Sequence, residues 1–129
     1  MLRNQLKSKI HLARVTDANL LYEGSITIPE DVMKTVDLWA GEKVLVVCRD
    51  TGARLETYVQ PGPVGSAAFI INGAAARRIG TGDRITIMAF GQSEKEIEAR
   101  KILCNEHNDI VRTERGVKKV TVPQETIAF

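Results

Sequence analysis

Short segments with strand character recur along most of the chain, and turn-forming residues separate them. The segment 43–49 is almost entirely apolar, which is typical of a strand that is buried on both faces. The segment 54–59 instead alternates between apolar and polar residues, as a strand with one solvated face does. The same criteria predict further strands over 9–15, 22–28, 67–72, 84–90 and 101–105, with a loop over 60–63. Six or seven such strands favour a small β-barrel, so we predict a mainly β fold with short helices.

Three short helical segments are predicted between these strands. Pro29 suits the first turn of a helix that continues to about Val36, because its missing amide donor is not needed there. A short helix over 73–79 and a capped, charged helical turn over 93–100 are the other two. The C-terminal segment 109–129 is polar and mixed in composition, and 117–122 could form an edge strand.

The length and composition are those of one domain spanning 1–129. The chain has 129 residues, of which 43% are hydrophobic and 26% charged, so it can bury a core without disulfides. Its apolar runs are too short to span a bilayer, and its first residues lack the apolar core of a signal peptide. We therefore expect a cytoplasmic protein that does not bind a membrane.

The charge pattern argues against a nucleic-acid partner. The 18 basic and 16 acidic residues are interspersed, which leaves a net charge of only +2 and no dominant basic field. Aromatic residues make up 5% of the chain, too few to suggest a base-stacking surface. Arg77-Arg78 and Lys118-Lys119 are the only hints of a DNA-binding regulator, and short charged pairs are usually solvated surface.

The cysteines and histidines indicate neither a disulfide framework nor a metal site. Cys48 ends an apolar run, so we expect it to be a small buried core residue, and Cys104 lies far away in sequence. His11 and His107 are similarly distant from each other. Because no metal-ligand spacing and no nucleophile elbow is present, we predict no metal and no classical hydrolase triad.

One tetrapeptide, Tyr22-Glu23-Gly24-Ser25, suggests a specific chemistry. A Gly-Ser pair in a strand usually marks a bend or bulge, so alone it indicates little. Its companions along the chain are Lys9, His11, Arg54, Thr57-Tyr58, Asn72-Gly73-Ala74-Ala75-Ala76 and Gly82-Asp83. This ordered set, from residue 1 to about 110, resembles the pyruvoyl-dependent aspartate decarboxylase family. The tail over 111–129 is not matched by the resemblance.

The resemblance implies that the chain cuts itself between Gly24 and Ser25. The hydroxyl of Ser25 would attack the carbonyl carbon of Gly24, where the absence of a Cβ leaves room for a distorted backbone. An ester, then dehydroalanine, and finally a pyruvoyl group would form at position 25. The amine of L-aspartate would condense with this ketone to give a Schiff base, which accepts the electrons released as carbon dioxide leaves. Hydrolysis would then free β-alanine, the precursor of pantothenate.

The resemblance also assigns roles to individual side chains. Arg54 and Lys9 would bind the substrate carboxylates. Our hypothesis is that Arg54 binds the retained side-chain carboxylate, because a cation held on the departing carboxylate would stabilise the ground state more than the transition state. Tyr58 would be the general acid that returns a proton to the α-carbon. Thr57 would stabilise the oxyanion during self-cleavage. Strand alternation puts Thr57 and Tyr58 on opposite faces, which a bulge or a neighbouring subunit could reconcile.

The remaining implied site residues surround the pyruvoyl group. Asn72 would donate a hydrogen bond near it, and Gly73, Ala74 and Ala75 would supply backbone groups and space for the substrate. His11 would assist maturation and Tyr22 would line the site. Outside this family, each of these residues would more simply be a packing or solvated residue.

The family's fold is a double-psi β-barrel, and its members are homotetramers with sites between subunits. The resemblance therefore implies an oligomer of this kind, and it leaves open whether a maturation factor is needed. The competing hypothesis is a non-catalytic barrel of the same type, because fold does not determine function. A degenerate copy should have lost part of the set formed by Lys9, Gly24, Ser25, Arg54, Thr57, Tyr58 and Asn72. All seven are present.

Overall fold

Nine strands in a single mixed sheet form most of the structure, a computed structural model that describes residues 1–116. The strands are β1 (Arg3–Arg14), β2 (Asp17–Asn19), β3 (Ser25–Pro29), β4 (Lys43–Cys48), β5 (Arg54–Gly62), β6 (Ile70–Asn72), β7 (Arg84–Ser93), β8 (Arg100–Cys104) and β9 (Ile110–Arg115). Their order across the sheet is β2-β6-β3-β5-β4-β7-β1-β8-β9. The predicted small, mainly β, barrel-like fold is thereby confirmed. The predicted strand over 117–122 lies outside the described residues.

The core is formed by the inward-facing aliphatic residues of these strands. Ile10, Ile26, Val46, Ile71 and Ile87 are all essentially inaccessible to solvent, and they come from five different strands. Phe69 is also fully buried. Because burial of each such side chain contributes on the order of 2 kcal/mol, this shared core holds the strands in register.

One α-helix occurs among the described residues, and the sequence predicted it. Helix α1 (Glu30–Thr35) begins directly after Pro29, with Glu30 and Asp31 in its first turn. Carboxylates there interact favourably with the partial positive charge of the helix N-terminus. Val32 and Met33 are buried and fasten the helix to the core. Within the described part of the chain, no helix has the length and apolar character that a membrane span requires.

The predicted helical turn over 93–100 is wrong. Strand β7 continues to Ser93, and the residues from there to β8 form a bend and irregular chain. The side-chain amide of Gln5 forms hydrogen bonds with the backbone of this segment. Its Nε2 donates to the carbonyl of Lys95 at 2.7 Å, and its Oε1 accepts from the amide of Ile97 at 3.1 Å. This long-range contact outweighs the local capping preference.

Several predicted boundaries also change. Strand β5 continues through the predicted loop as far as Gly62, because Pro29 of β3 pairs with Gly62 in a parallel ladder that local turn propensity did not indicate. Strand β3 begins only at Ser25, so the first three residues of the predicted strand over 22–28 form a bend instead. The predicted helix over 73–79 is a short 3₁₀ helix at Gly73–Arg77.

Candidate active site

A cavity of about 880 Å³ opens beside the first residue of β3. Side chains from four parts of the chain meet there: Tyr22 precedes β3, Ser25 and Thr27 lie on β3, Tyr58 on β5 and Asn72 on β6. Strands β5 and β6 are the two neighbours of β3 in the sheet. Residues from distant parts of the sequence, Asp17 to Asn72, therefore line one concave surface, as ligand sites commonly do.

The bond between Gly24 and Ser25 lies at the boundary between an exposed bend and a buried strand. Gly24 is exposed and belongs to the bend, whereas Ser25 is only 6% exposed and begins β3. The hydroxyl of Ser25 is thus held by the sheet, while the residue before it is outside the ladder.

The amide of Asn72 holds the hydroxyl of Ser25. The two residues are partners in the antiparallel pairing of β3 with β6, and both are buried. The Nδ2 atom of Asn72 donates to the Oγ of Ser25 at 3.1 Å and to the Oγ1 of Thr27, also at 3.1 Å. A pyruvoyl group at position 25 would present an accepting oxygen, so a fixed N–H donor at this place fits that group.

Gly73 packs directly against the candidate cleavage point. Its φ is +78°, which side chains other than glycine rarely adopt. A Cβ atom on Gly73 would lie 2.8 Å from the Cα of Gly24, 2.9 Å from its nitrogen and 3.1 Å from the carbonyl oxygen of Tyr22. Glycine at position 73 therefore permits the bend at Gly24 to lie where it does.

Tyr58 and Thr57 face opposite sides of β5. Tyr58 is half-buried and lines the cavity, whereas Thr57 does not line it. The pairing of β5 with β4 is uninterrupted from Arg54 to Tyr58, so the bulge considered as an explanation does not occur there. Thr57 lies on the same face of the strand as the buried Val59.

Three of the predicted basic residues lie away from this cavity. Lys9 on β1 is opposite Met88 on β7. Two residues before Met88, Thr86 is opposite Val47 on β4, and Val47 is in turn opposite Arg54 on β5. His11 joins the same face, since its Nδ1 atom is 2.8 Å from the Oγ1 of Thr86. We call this group of Lys9, His11, Arg54 and Thr86 the basic face. None of its members lines the cavity beside Ser25.

Burial and neighbouring cations disfavour the charged forms of His11 and Lys9. Burial, together with the positive charges of Lys9 and Arg84, lowers the pKa of His11 to about 4. Burial and the nearby ammonium group of Lys101 lower the pKa of Lys9. His11 is therefore a neutral imidazole at pH 7, and Lys9 is a less strongly hydrated cation than a surface lysine.

Two alanines that the resemblance assigned to the site lie on the 3₁₀ helix. Ala74 is exposed, and Ala75 is half-buried and packs against the core. Neither lines the cavity directly. Thr27, by contrast, lines it and was not predicted, although the alternation of β3 places Thr27 on the face of Ser25.

A second group of polar side chains, Cys48, Asp50 and Asp83, lies elsewhere, with ligand-type atoms within 4.8 Å of one another. Both carboxylates are already engaged with the backbone. Asp50 accepts from the amide of Arg84 at 2.7 Å, and Asp83 accepts from the amide of Gly80 at 2.9 Å. These bonds tie two turns together, and we assign the group a structural role.

Comparison with known proteins identifies the family. The family model described as Aspartate decarboxylase matches residues 1–111. The aspartate 1-decarboxylase of Halalkalibacterium halodurans is 47% identical over 115 residues, which cover 86% of this chain and 91% of that protein. That of a Thermotoga species is 47% identical over 112 residues, with 87% and 98% covered. That of Listeria welshimeri is 42% identical over 125 residues, with 97% and 95% covered.

These relatives are carboxy-lyases, and this chain is a small, mainly β protein with a cavity lined by polar side chains. Within the carboxy-lyases, the chain belongs to the aspartate decarboxylase family.

Proposed function

We propose that this protein is a self-processing, pyruvoyl-dependent enzyme that converts L-aspartate to β-alanine and carbon dioxide. The observation that carries the proposal is the hydrogen bond from Asn72 to the buried hydroxyl of Ser25, at the wall of a cavity and directly after the exposed Gly24. Membership of the aspartate decarboxylase family supports the substrate and the reaction.

Maturation begins with Ser25. Its Oγ attacks the carbonyl carbon of Gly24, the peptide nitrogen leaves, and the acyl group moves to the oxygen. Elimination across the Cα–Cβ bond of residue 25 releases Gly24 as a carboxylate and leaves dehydroalanine. Uptake of water and loss of ammonia then produce the pyruvoyl group. The buried start of β3 and the hydrogen bond from Asn72 favour the first step, because they hold the nucleophile in place.

Thr57 stabilises the oxyanion of that first step. The parallel register pairs Ile26 with Val59. Thr57 lies two residues before Val59 on β5, and Gly24 lies two residues before Ile26, in the bend that precedes β3. A hydroxyl donor beside the Gly24 carbonyl would stabilise the negative charge that develops there. Thr57 thus serves cleavage on one face of β5 while Tyr58 serves turnover on the other, and the alternation of the strand no longer conflicts with these roles.

In the mature enzyme, the pyruvoyl group supplies an electron sink for the bond that breaks at the α-carbon. The protein's own residues orient the substrate and move the proton. Asn72 donates a hydrogen bond at position 25, and the phenol of Tyr58 delivers a proton to the α-carbon from across the cavity. Tyr22 lines the cavity. Gly73, Ala74 and Ala75 contribute backbone groups beside the site.

The cations that bind the substrate come from a second copy of the chain. Among the described residues, the cavity is lined by the carboxylates of Asp17 and Glu23 and by no lysine or arginine. A dicarboxylate substrate needs positive charge there. Lys9 and Arg54 lie together with His11 on the basic face instead, so a neighbouring subunit that packs its basic face over the cavity completes the site. We propose a cytoplasmic homotetramer, whose maturation proceeds with or without a helper protein.

Two measurements test the proposal. In a denaturing mass spectrum, the parent protein should give two chains that meet between Gly24 and Ser25, the larger with a pyruvoyl N-terminus. The Ser25→Ala variant should give one full-length chain. The cleaved protein should release β-alanine from L-aspartate, and the variant should not. A parent chain that stays intact after long incubation with a cytoplasmic extract, or a cleaved chain without decarboxylase activity, would refute the proposed function.

A further inference from the structure

Thr27 lines the cavity and has no role in the mechanism described above. It lies two residues after Ser25 on β3, so both side chains face the cavity. Both also accept a hydrogen bond from the same atom, Nδ2 of Asn72. The three side chains form a chain of contacts in which Asn72 is the shared donor.

The conformation of Thr27 is restricted on its other side by Gly62. A Cβ atom on Gly62 would lie 2.8 Å from the Cγ2 of Thr27, which shows that the methyl group rests on the glycine. A β-branched side chain has few χ1 choices in a strand. With the methyl group against Gly62, the hydroxyl is directed toward Asn72, at 3.1 Å from its Nδ2.

We infer that Thr27 is a positioning residue, which acts through Asn72 on the reacting group at position 25. An amide has two N–H bonds on one nitrogen. When Thr27 accepts one of them, the nitrogen is anchored and the other is directed at position 25. Without that anchor the Asn72 side chain can rotate about its χ2 angle, which is a broad torsion. The inference rests on the proposed function, since it supposes that Asn72 acts at position 25.

A matched pair of variants separates the hydroxyl from the methyl group. Thr27→Val keeps the shape that rests on Gly62 and removes the acceptor, whereas Thr27→Ser keeps the acceptor and removes the methyl group. The first readout is the rate of cleavage between Gly24 and Ser25, followed by denaturing mass spectrometry. The second is kcat and KM for L-aspartate, measured on protein that has been fully cleaved. Each variant is also made in an Asn72→Ala background.

Thr27→Val should slow cleavage by about three- to tenfold, as the loss of one neutral hydrogen bond predicts. It should lower kcat by a similar factor with KM unchanged. Thr27→Ser should stay within about twofold of the parent in both, because one hydrogen bond is retained. In the Asn72→Ala background, Thr27→Val should cause no further loss, since the two residues act through one contact.

Three results would overturn the inference. Thr27→Val could cleave and turn over like the parent while Asn72→Ala is impaired. Thr27→Val and Thr27→Ser could be equally impaired, which indicates packing alone. Thr27→Val could lose as much in the Asn72→Ala background as in the parent. If Thr27→Val does not fold, Thr27→Ala, which also removes the acceptor, is compared with Thr27→Ser in the parent and Asn72→Ala backgrounds and tests the same coupling. Failure of the proposed function is distinguishable, because the parent itself would then not cleave or would not form β-alanine.

Discussion

Gly73 leaves room for Gly24, because a Cβ at position 73 would lie 2.8 Å from the Cα of Gly24. The contact joins the start of the 3₁₀ helix to the bend before β3. It gives Gly73 a steric role in placing the proposed cleavage point, in addition to the contact with substrate that the family resemblance implies.

Gly73→Ala should therefore block or slow maturation. The methyl group forces the bend at Gly24 to move, and alanine also strains a backbone with φ of +78°. Such overpacking costs about 1–3 kcal/mol, so we expect cleavage to be at least about fivefold slower. The rate is read from the appearance of the two chains in a denaturing mass spectrum.

Gly80→Ala is the matched control, since nothing lies within 4 Å of a Cβ at Gly80. It should cleave at the parent rate. Cleavage of Gly73→Ala at that same rate would contradict the steric role.

Tyr58→Phe should mature normally and then fail in turnover. The variant keeps the ring that lines the cavity and loses the proton that we assign to the α-carbon. General acid catalysis contributes on the order of 10²–10⁴ in rate, so kcat should fall by about 10² or more, with KM within about threefold. Steady-state release of β-alanine measures this on cleaved protein. A variant with the parent kcat would show that another group is the acid.

Two variants that are inactive alone should restore activity when they assemble together. Lys9→Ala removes a cation from the basic face, and Tyr58→Phe removes the acid from the cavity. If each site combines the basic face of one subunit with the cavity of another, random mixing leaves about a quarter of the sites with both residues intact. Co-expressed and co-purified chains should therefore show up to about a quarter of the parent activity. No recovery in a mixed oligomer would place Lys9 and Tyr58 in a site within one chain.

Acidification should destabilise the protein through His11. Its pKa in the folded state is about 4, below the ordinary value of 6.5, because burial and two neighbouring cations disfavour the charged ring. Between these two values the unfolded chain binds a proton that the folded chain does not, so stability is lost as the pH falls from about 6.5 to about 4. His11→Gln should lose less stability over that range. Urea unfolding midpoints at pH 7 and pH 4.5 for both proteins provide the comparison, and parallel changes would contradict the assignment.

The local sequence pattern predicted strands and helices correctly where the side-chain periodicity of a segment matches its burial in the fold. The apolar run that became β4 and the alternating segment that became the first half of β5 were both predicted, because their side-chain periodicity is a direct consequence of the strand. Helix α1 was predicted for a similar reason, since Pro29 and two acidic residues favour a helix start whatever surrounds them. Where a distant side chain intervenes, as Gln5 does at Lys95 and Ile97, the local pattern failed.

The candidate site shows the same division. The sequence by itself determined the types of residue available for the chemistry: a serine after a glycine, an amide, a tyrosine and the cations at Lys9 and Arg54. It also determined that Thr57 and Tyr58 face opposite ways, because strand alternation is a local property. Only the tertiary structure decided which of them meet. Strand pairing brings Asn72 and Tyr58 to Ser25, and it leaves Lys9 and Arg54 outside the cavity that these residues line. Register between distant strands depends on the packing of the whole core, and no short stretch of sequence contains that information.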